Sequence, residues 1–172
     1  MDHQYLDVFQ KTYVDVVRNA RDGNLLFQGA LENGPEIKTT FSDNDFSKSL
    51  NMIARTISVH EQLGFKRQVF YVNFYGWDHH DEVLQNQVDM FNIVNDGLVE
   101  FYAAMEELNL TKQVATFSIS EFGRSLTSNG NGTDHAWGGN SFIIGGDLNG
   151  SRIFGDYPAL DLENDLNILR SH

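Results

Sequence analysis

Cysteine is absent from this sequence. That absence removes disulfide frameworks, thiolate metal sites and cysteine nucleophiles together, so any metal ion must be held by imidazole and carboxylate. Positive charge is scarce: 12 Lys and Arg stand against 24 Asp and Glu, for a formal charge of −12, and no Lys/Arg cluster occurs anywhere. Nucleic-acid binding through counterion release needs a basic footprint, so no nucleic-acid partner is expected. A bound divalent cation would supply locally the positive charge that an anionic substrate requires, which keeps phosphate and sulfate chemistry compatible with the acidity. No apolar run approaches the ~20 residues of a membrane span. The start, MDHQYLDVFQK, has neither the basic opening nor the apolar centre of a signal peptide, and a soluble chain is expected. Also missing are a Gly-x-Ser-x-Gly elbow, a phosphate-binding lysine loop and a His-Glu-x-x-His helix.

What is present suffices for a core. At 172 residues a chain buries roughly 70% of its unfolded surface without staples, and residues 1–172 are expected to form a single domain. An amphipathic pattern is already under way at Tyr5, as in a piece cut from a longer protein. Leu6, Phe9, Tyr13, Val16 and Val17 fall at helical spacing and predict a helix over 5–20, ended by Asp22-Gly23. Residues 29–44 read as a loop. Phe46, Leu50, Ile53, Ala54, Ile57 and Leu63 predict a second helix, with Ser42, Asn44 or Asp45 as N-cap and Gly64 at its C-terminal stop.

Residues 68–74 (QVFYVNF) are aromatic and β-branched, too short for a helix, and read as a buried strand. Leu84, Val88, Phe91, Val94, Leu98, Phe101, Met105 and Leu108 make the longest helical stripe. Residues 113–120 then read as a second strand. Strand, helix, strand with so long a crossover predicts a parallel, right-handed connection. A third strand is expected over 141–144, a hairpin turn at Asn149-Gly150 leading into 152–154, and a last helix over 163–169. The expected class is α/β, with a mostly parallel sheet flanked by helices.

In such sheets ligands bind beyond the carboxyl ends of the strands, and two loops expected there carry Asp, His and Glu. Convergence of such groups to within ~2.0–2.2 Å of one point holds a divalent ion. Asp78 and His80 are two apart, which on an extended segment puts both on one face and turns His79 away. Equally, Asp78 could cap the helix that follows. Asp134-His135 lies in a glycine-bracketed stretch, where Thr133-Asp134 alternatively reads as a turn. Glu121 follows a strand and reads as a ligand, a general base or the ion-pair partner of Arg124. His3, His60 and His172 lack partners in the pattern.

Three motifs in order then carry a resemblance. Residues 67–80 match "RQ-apolar-FYV-x-x-x-GFDTH", with GWDHH for GFDTH; residues 116–124 match "T-apolar-SEFGR"; residues 129–139 match "NGxGTDHGWGG". Over roughly residues 46–158 the chain resembles the bacterial family called domain of unknown function fifteen-oh-one, a branch of the alkaline phosphatase and sulfatase superfamily. The resemblance implies an alkaline-phosphatase-like fold, of which this chain would be the C-terminal portion. It further implies a metal-dependent hydrolase of small anionic phosphate or sulfate esters, using zinc, manganese or calcium. Asp78, His80 and His135, with Asp134, would be metal ligands, and Glu121 and Arg124 would serve catalysis. The N-terminal half of the same protein would supply an aspartate and the nucleophile, and twin-arginine export would place the protein in the periplasm or cell envelope. Phe122 stands where the superfamily has a metal-binding His, and Asn140-Ser141 where many relatives have a His pair. Without its other half the chain would hold one metal half-site and be inactive alone; the alternative is a non-catalytic binding or structural module that keeps the fold.

Overall fold

Asp7 starts the first helix in the computed structural model, which describes residues 7–156. Its carboxylate accepts the Phe9 N–H at 2.8 Å, satisfying one of the donors that a helix N-terminus leaves unpaired. Helix α1 spans Val8–Glu32 and runs through Gly23, where the sequence predicts an end. One glycine costs a helix only about 1 kcal/mol, and the pattern resumes beyond it at Leu25, Leu26 and Ala30. Asn33 closes α1, its side-chain amide donating to the Gly29 carbonyl at 2.8 Å. Helix α2 spans Asp45–Ser58. Asn44 proves to be its cap, accepting the Ser47 N–H at 2.9 Å. Beyond Ser58 a turn replaces the predicted helical continuation, and Gly64 follows it with φ +71°.

The chain divides into two compact units, one formed by residues up to Ile37 with Met52–Tyr71, the other by Lys38–Asn51 with the residues from Val72 on. In the first, Ala30, Ala54, Ile57 and Val59 are buried, while Phe9, Tyr13 and Leu25 on α1 remain exposed. The second is built on helix α3, Val83–Glu107. Leu50, Phe101, Ala104 and Met105 form its core. A Cβ at Gly97 would stand 2.8 Å from the Phe46 ring, so glycine is what lets the first turn of α2 lie this close to α3.

Two carboxylates on α3, a heptad apart, hold the segment that precedes α2. Glu107 accepts the Lys38 N–H at 2.8 Å and both the N–H and hydroxyl of Thr39. Glu100 accepts the N–H and hydroxyl of Ser42.

The strands depart from the expected parallel sheet. Strand β1 (Ala115–Phe117) pairs antiparallel with β4 (Ile143–Gly145), and β2 (Gly123–Ser128) pairs antiparallel with β3 (Thr133–Ala136). Both sheets have two strands. Residues 68–74 form no ladder, although Val72 and Phe74 are half-buried and Asn73 and Tyr75 exposed, the alternation of a strand. Composition in that run reports how side chains partition, whereas a parallel sheet needs a neighbouring backbone to bond with. The neighbour of β1 is instead β4, which follows only after residues 118–142 and the β2–β3 hairpin they contain, and the two strands run antiparallel. Nor does a hairpin form at Asn149-Gly150: residues 152–154 carry no strand. The helix predicted over 163–169, and His3 and His172, lie outside the described residues.

Burial pushes the Glu100 carboxyl up, but the bonds from Ser42 outweigh it and the pKa is lowered. The Glu107 carboxyl is lowered chiefly by the Lys38 N–H. A depressed folded pKa gives stabilisation that is complete above the ordinary glutamate range and lost as pH falls through the folded value. Glu107→Gln is therefore expected to speed amide hydrogen exchange at Lys38 and Thr39 at neutral pH and to flatten its acid dependence. Exchange rates equal to wild type at both pH values would contradict the anchoring role.

Candidate metal centre

Residues 76–82 contain neither helix nor ladder, so their position depends on what binds their backbone. An aromatic series fixes the approach: Phe46 to Phe74 at 5.2 Å, Phe74 to Trp77 edge-on at 5.8 Å, and Trp77 to Phe91 of α3 at 5.0 Å. The β2–β3 hairpin also docks on this segment. Its tip, Asn129-Gly130-Asn131-Gly132, is tied by the Asn129 carboxamide oxygen, which accepts the N–H groups of Asn131 and Gly132. The Asn129 amide donates to the His80 carbonyl at 3.1 Å, the Asn131 amide donates to Asp81, and the Val83 N–H donates to the Asn131 carbonyl. A Cβ at Gly132 would collide with the His80 carbonyl oxygen, so the contact requires glycine there.

Arg124 completes the docking. Its Nη1 donates to the carbonyls of His79 (2.8 Å) and Thr133 (2.7 Å), and its Nη2 donates to that of Trp77 (2.6 Å). In register Arg124 faces His135 across the hairpin.

This docking gathers three side chains. His135 Nε2 donates to Asp78 Oδ1 at 2.6 Å, and His80 Nε2 stands 3.0 Å from the same oxygen. One ligand atom from each of Asp78, His80 and His135 lies within 4.8 Å of the others, and all three residues are exposed. Two imidazole nitrogens and a carboxylate oxygen at such separations can hold a metal ion, with solvent-facing positions left open, as in catalytic zinc sites. The donor set fits a borderline divalent ion better than calcium, which takes six to eight oxygens. Asp134 stands outside this triad; its carboxylate lies 3.5 Å from His80 Nδ1. A carboxylate on the far nitrogen of a ligating histidine fixes the ring and its tautomer.

The hydrogen bond from His135 holds the Asp78 carboxyl below the ordinary carboxylate range, and the charges of His135, His80 and Arg124 act in the same direction. An ionised Asp78 is the form that binds a cation.

The structure bears on the alternatives that spacing leaves open. Asp78 caps nothing: Glu82, with φ 49°, is the N-cap of α3 and makes no side-chain cap bond. Thr133 and Asp134 lie in β3, not a turn. His79 does turn away, its Nε2 3.2 Å from the Met90 sulfur. Glu121 is exposed, and among the described residues it forms no ion pair with Arg124. Phe122, noted in the sequence only for what it cannot bind, stacks on the His135 ring at 4.0 Å and 16°. The roles of Asn129, Asn131 and Gly132 were also missed; two Asn-Gly pairs between short strand-like runs are a hairpin signal that could have found them.

With this geometry in view, the chain matches over residues 33–170 the family described as Protein of unknown function (DUF1501), and it belongs to that family. No curated protein and no solved structure matches it.

Overpacking a close approach typically costs about 1–3 kcal/mol. Gly132→Ala should therefore lower unfolding free energy by roughly that amount in a urea titration, and Gly23→Ala, which meets nothing within 4 Å, should not lower it. Equal midpoints for the two would argue against hairpin docking.

Proposed function

We propose that this chain contributes one metal half-site to a metal-dependent hydrolase of phosphate or sulfate esters, an alkaline-phosphatase-like protein whose remaining half supplies the nucleophile. The observation that carries the reading is the convergence of Asp78, His80 and His135 on one point from two separate segments. Open carboxylates are common on acidic proteins, but two imidazoles sharing one carboxylate oxygen are a donor set suited to zinc or manganese. A divalent ion there would act as Lewis acid and polarise an ester oxygen. Asp78, His80 and His135 would hold it, with Asp134 orienting His80 rather than binding the ion directly. Glu121, exposed beside β2, would be a candidate general base. Arg124 has its guanidinium engaged by carbonyls, which disfavours a direct catalytic part for it.

The side chains of Asp78, His80 and His135 are 60%, 52% and 44% exposed. Efficient ester hydrolysis is helped by a site that excludes bulk water and admits only the reacting water molecule, so the proposal includes a further segment of the same protein covering this face. A cell-envelope location belongs to the same proposal by family resemblance. A second reading, a binding module with a structural ion, is favoured by Phe122, whose ring covers one face of His135.

The test is metal content by mass spectrometry, before and after chelation, with aryl phosphate and aryl sulfate turnover by the full-length protein. The expected result is about one ion per chain, lost in His80→Ala and in His135→Ala, and turnover restored by zinc or manganese. Metal uptake without turnover would select the binding module. Unchanged metal content in both variants would remove the half-site altogether.

A further inference from the structure

We infer that Arg124 is a positioning residue that sets the distance between the two ligand-bearing segments, and not an anion-binding one. The inference rests on the metal reading above. Its basis is the set of groups the guanidinium touches. The Trp77 and His79 carbonyls flank Asp78 on both sides in the chain, and the Thr133 carbonyl lies two residues before His135. One planar fork thus joins the backbone on either side of Asp78 to the strand that carries His135. The side chain is only 17% exposed, and Nη2 stands 4.0 Å from Asp78 Oδ1.

Little donor capacity remains for a substrate. Three of the five guanidinium N–H groups are committed to carbonyls. The guanidinium carbon lies 5.1 Å from the centre of the Phe122 ring, within cation–π range. Phe122 in turn stacks on His135, and the His135 and His80 rings are 5.0 Å apart. Arg124, Phe122, His135 and His80 therefore form one series of contacts running from the fork to two of the three ligands.

Geometry makes this placement consequential. Metal–ligand distances tolerate only about ±0.2 Å, whereas residues 76–82 have no regular structure to hold them that closely. A lysine would keep the charge but concentrate its donors at one point, and could not span three carbonyls in a plane. Loss of the fork should then cost metal affinity far more than it costs folding, because carbonyls released at a half-exposed loop can rebind water.

The experiment uses the full chain and the variants Arg124→Lys, Arg124→Gln and Phe122→Leu, with zinc titration by calorimetry and, in metal-free protein, the cross-relaxation between the Phe122 and His135 rings. Expected are a loss of the ring cross-peak in Arg124→Gln, with melting within a few degrees of wild type, and a roughly 10- to 100-fold weaker zinc affinity in Arg124→Gln and in Arg124→Lys, the range seen for outer groups that orient ligands. In zinc affinity, the one readout that applies to it, Phe122→Leu should lie between these variants and wild type. If Arg124→Gln fails to fold, Arg124→Lys decides by the same two readouts. Wild-type zinc affinity in Arg124→Lys together with lost binding of inorganic phosphate would overturn the inference in favour of an anion site. A wild-type chain that binds no zinc, with the cross-peak still lost in Arg124→Gln, would remove the metal reading and leave the positioning role in place.

Discussion

A backbone without helix or sheet must find partners for its carbonyls elsewhere, and in this protein that requirement fixes where the triad of Asp78, His80 and His135 forms. Between Trp77 and His80 the carbonyls of Trp77, His79 and His80 are all taken by the β2–β3 hairpin, two through Arg124 and one through Asn129. Asp78 and His80 project from this stretch, and His135 projects from the hairpin itself. Satisfying the loop and assembling the ligand set are therefore one event. The aromatic series from Phe46 to Phe91 adds a second set of contacts to the same loop through Trp77. A loop held by both sets can keep a side-chain geometry that its own sequence does not encode.

How much of this could be read from the chain depends on the range of the signal. Helix α3 was legible because its stripe is local and long, and Asn44 was legible as one of three candidate caps because capping involves residues a few positions apart. The three residues of the candidate triad were legible as residue types. The sheet was not, because the aromatic and β-branched run over 68–74 describes side chains, and pairing depends on a partner backbone distant in sequence. Arg124 entered the sequence reading as one of three alternatives for Glu121, three residues away, and by resemblance as a catalytic group, whereas its partners include Trp77 and His79, more than forty residues earlier. Nothing in the neighbourhood of an arginine announces that it will bind carbonyls so far back. Phe122 was read as the absence of a ligand, and its role as a surface for His135 needed the register Arg124 to His135 to be known.

The charge of the chain bears on the same site. With a net charge of −12, the protein's overall field attracts cations and repels anionic esters. Within the triad that field is locally offset: Arg124 lies beside Asp78, and the two imidazoles share its Oδ1. Ion and substrate thus meet different fields. A cation would be drawn in by the whole protein and held by neutral imidazoles and one carboxylate, leaving a net positive centre. Only with that centre in place does the acidity of the surroundings cease to oppose an anionic ligand, so cation first and anion second is the order that electrostatics favours.

Exposure finally separates binding from catalysis. All three ligand residues are open to solvent, where the effective dielectric is high and a charge placed near an ester oxygen loses most of its leverage. A metal can still be bound under those conditions, because coordination bonds are short and need only convergent donors. Stabilising a transition state requires more, namely fixed dipoles in a site from which water is excluded. The fork of Arg124, the stacked Phe122 and the Asn129 tip supply the rigidity half of that requirement, and none of them supplies enclosure. On the hydrolase reading, enclosure and nucleophile have to arrive together from the same additional segment, because a nucleophile in line with the ion would itself cover the open face of Asp78, His80 and His135.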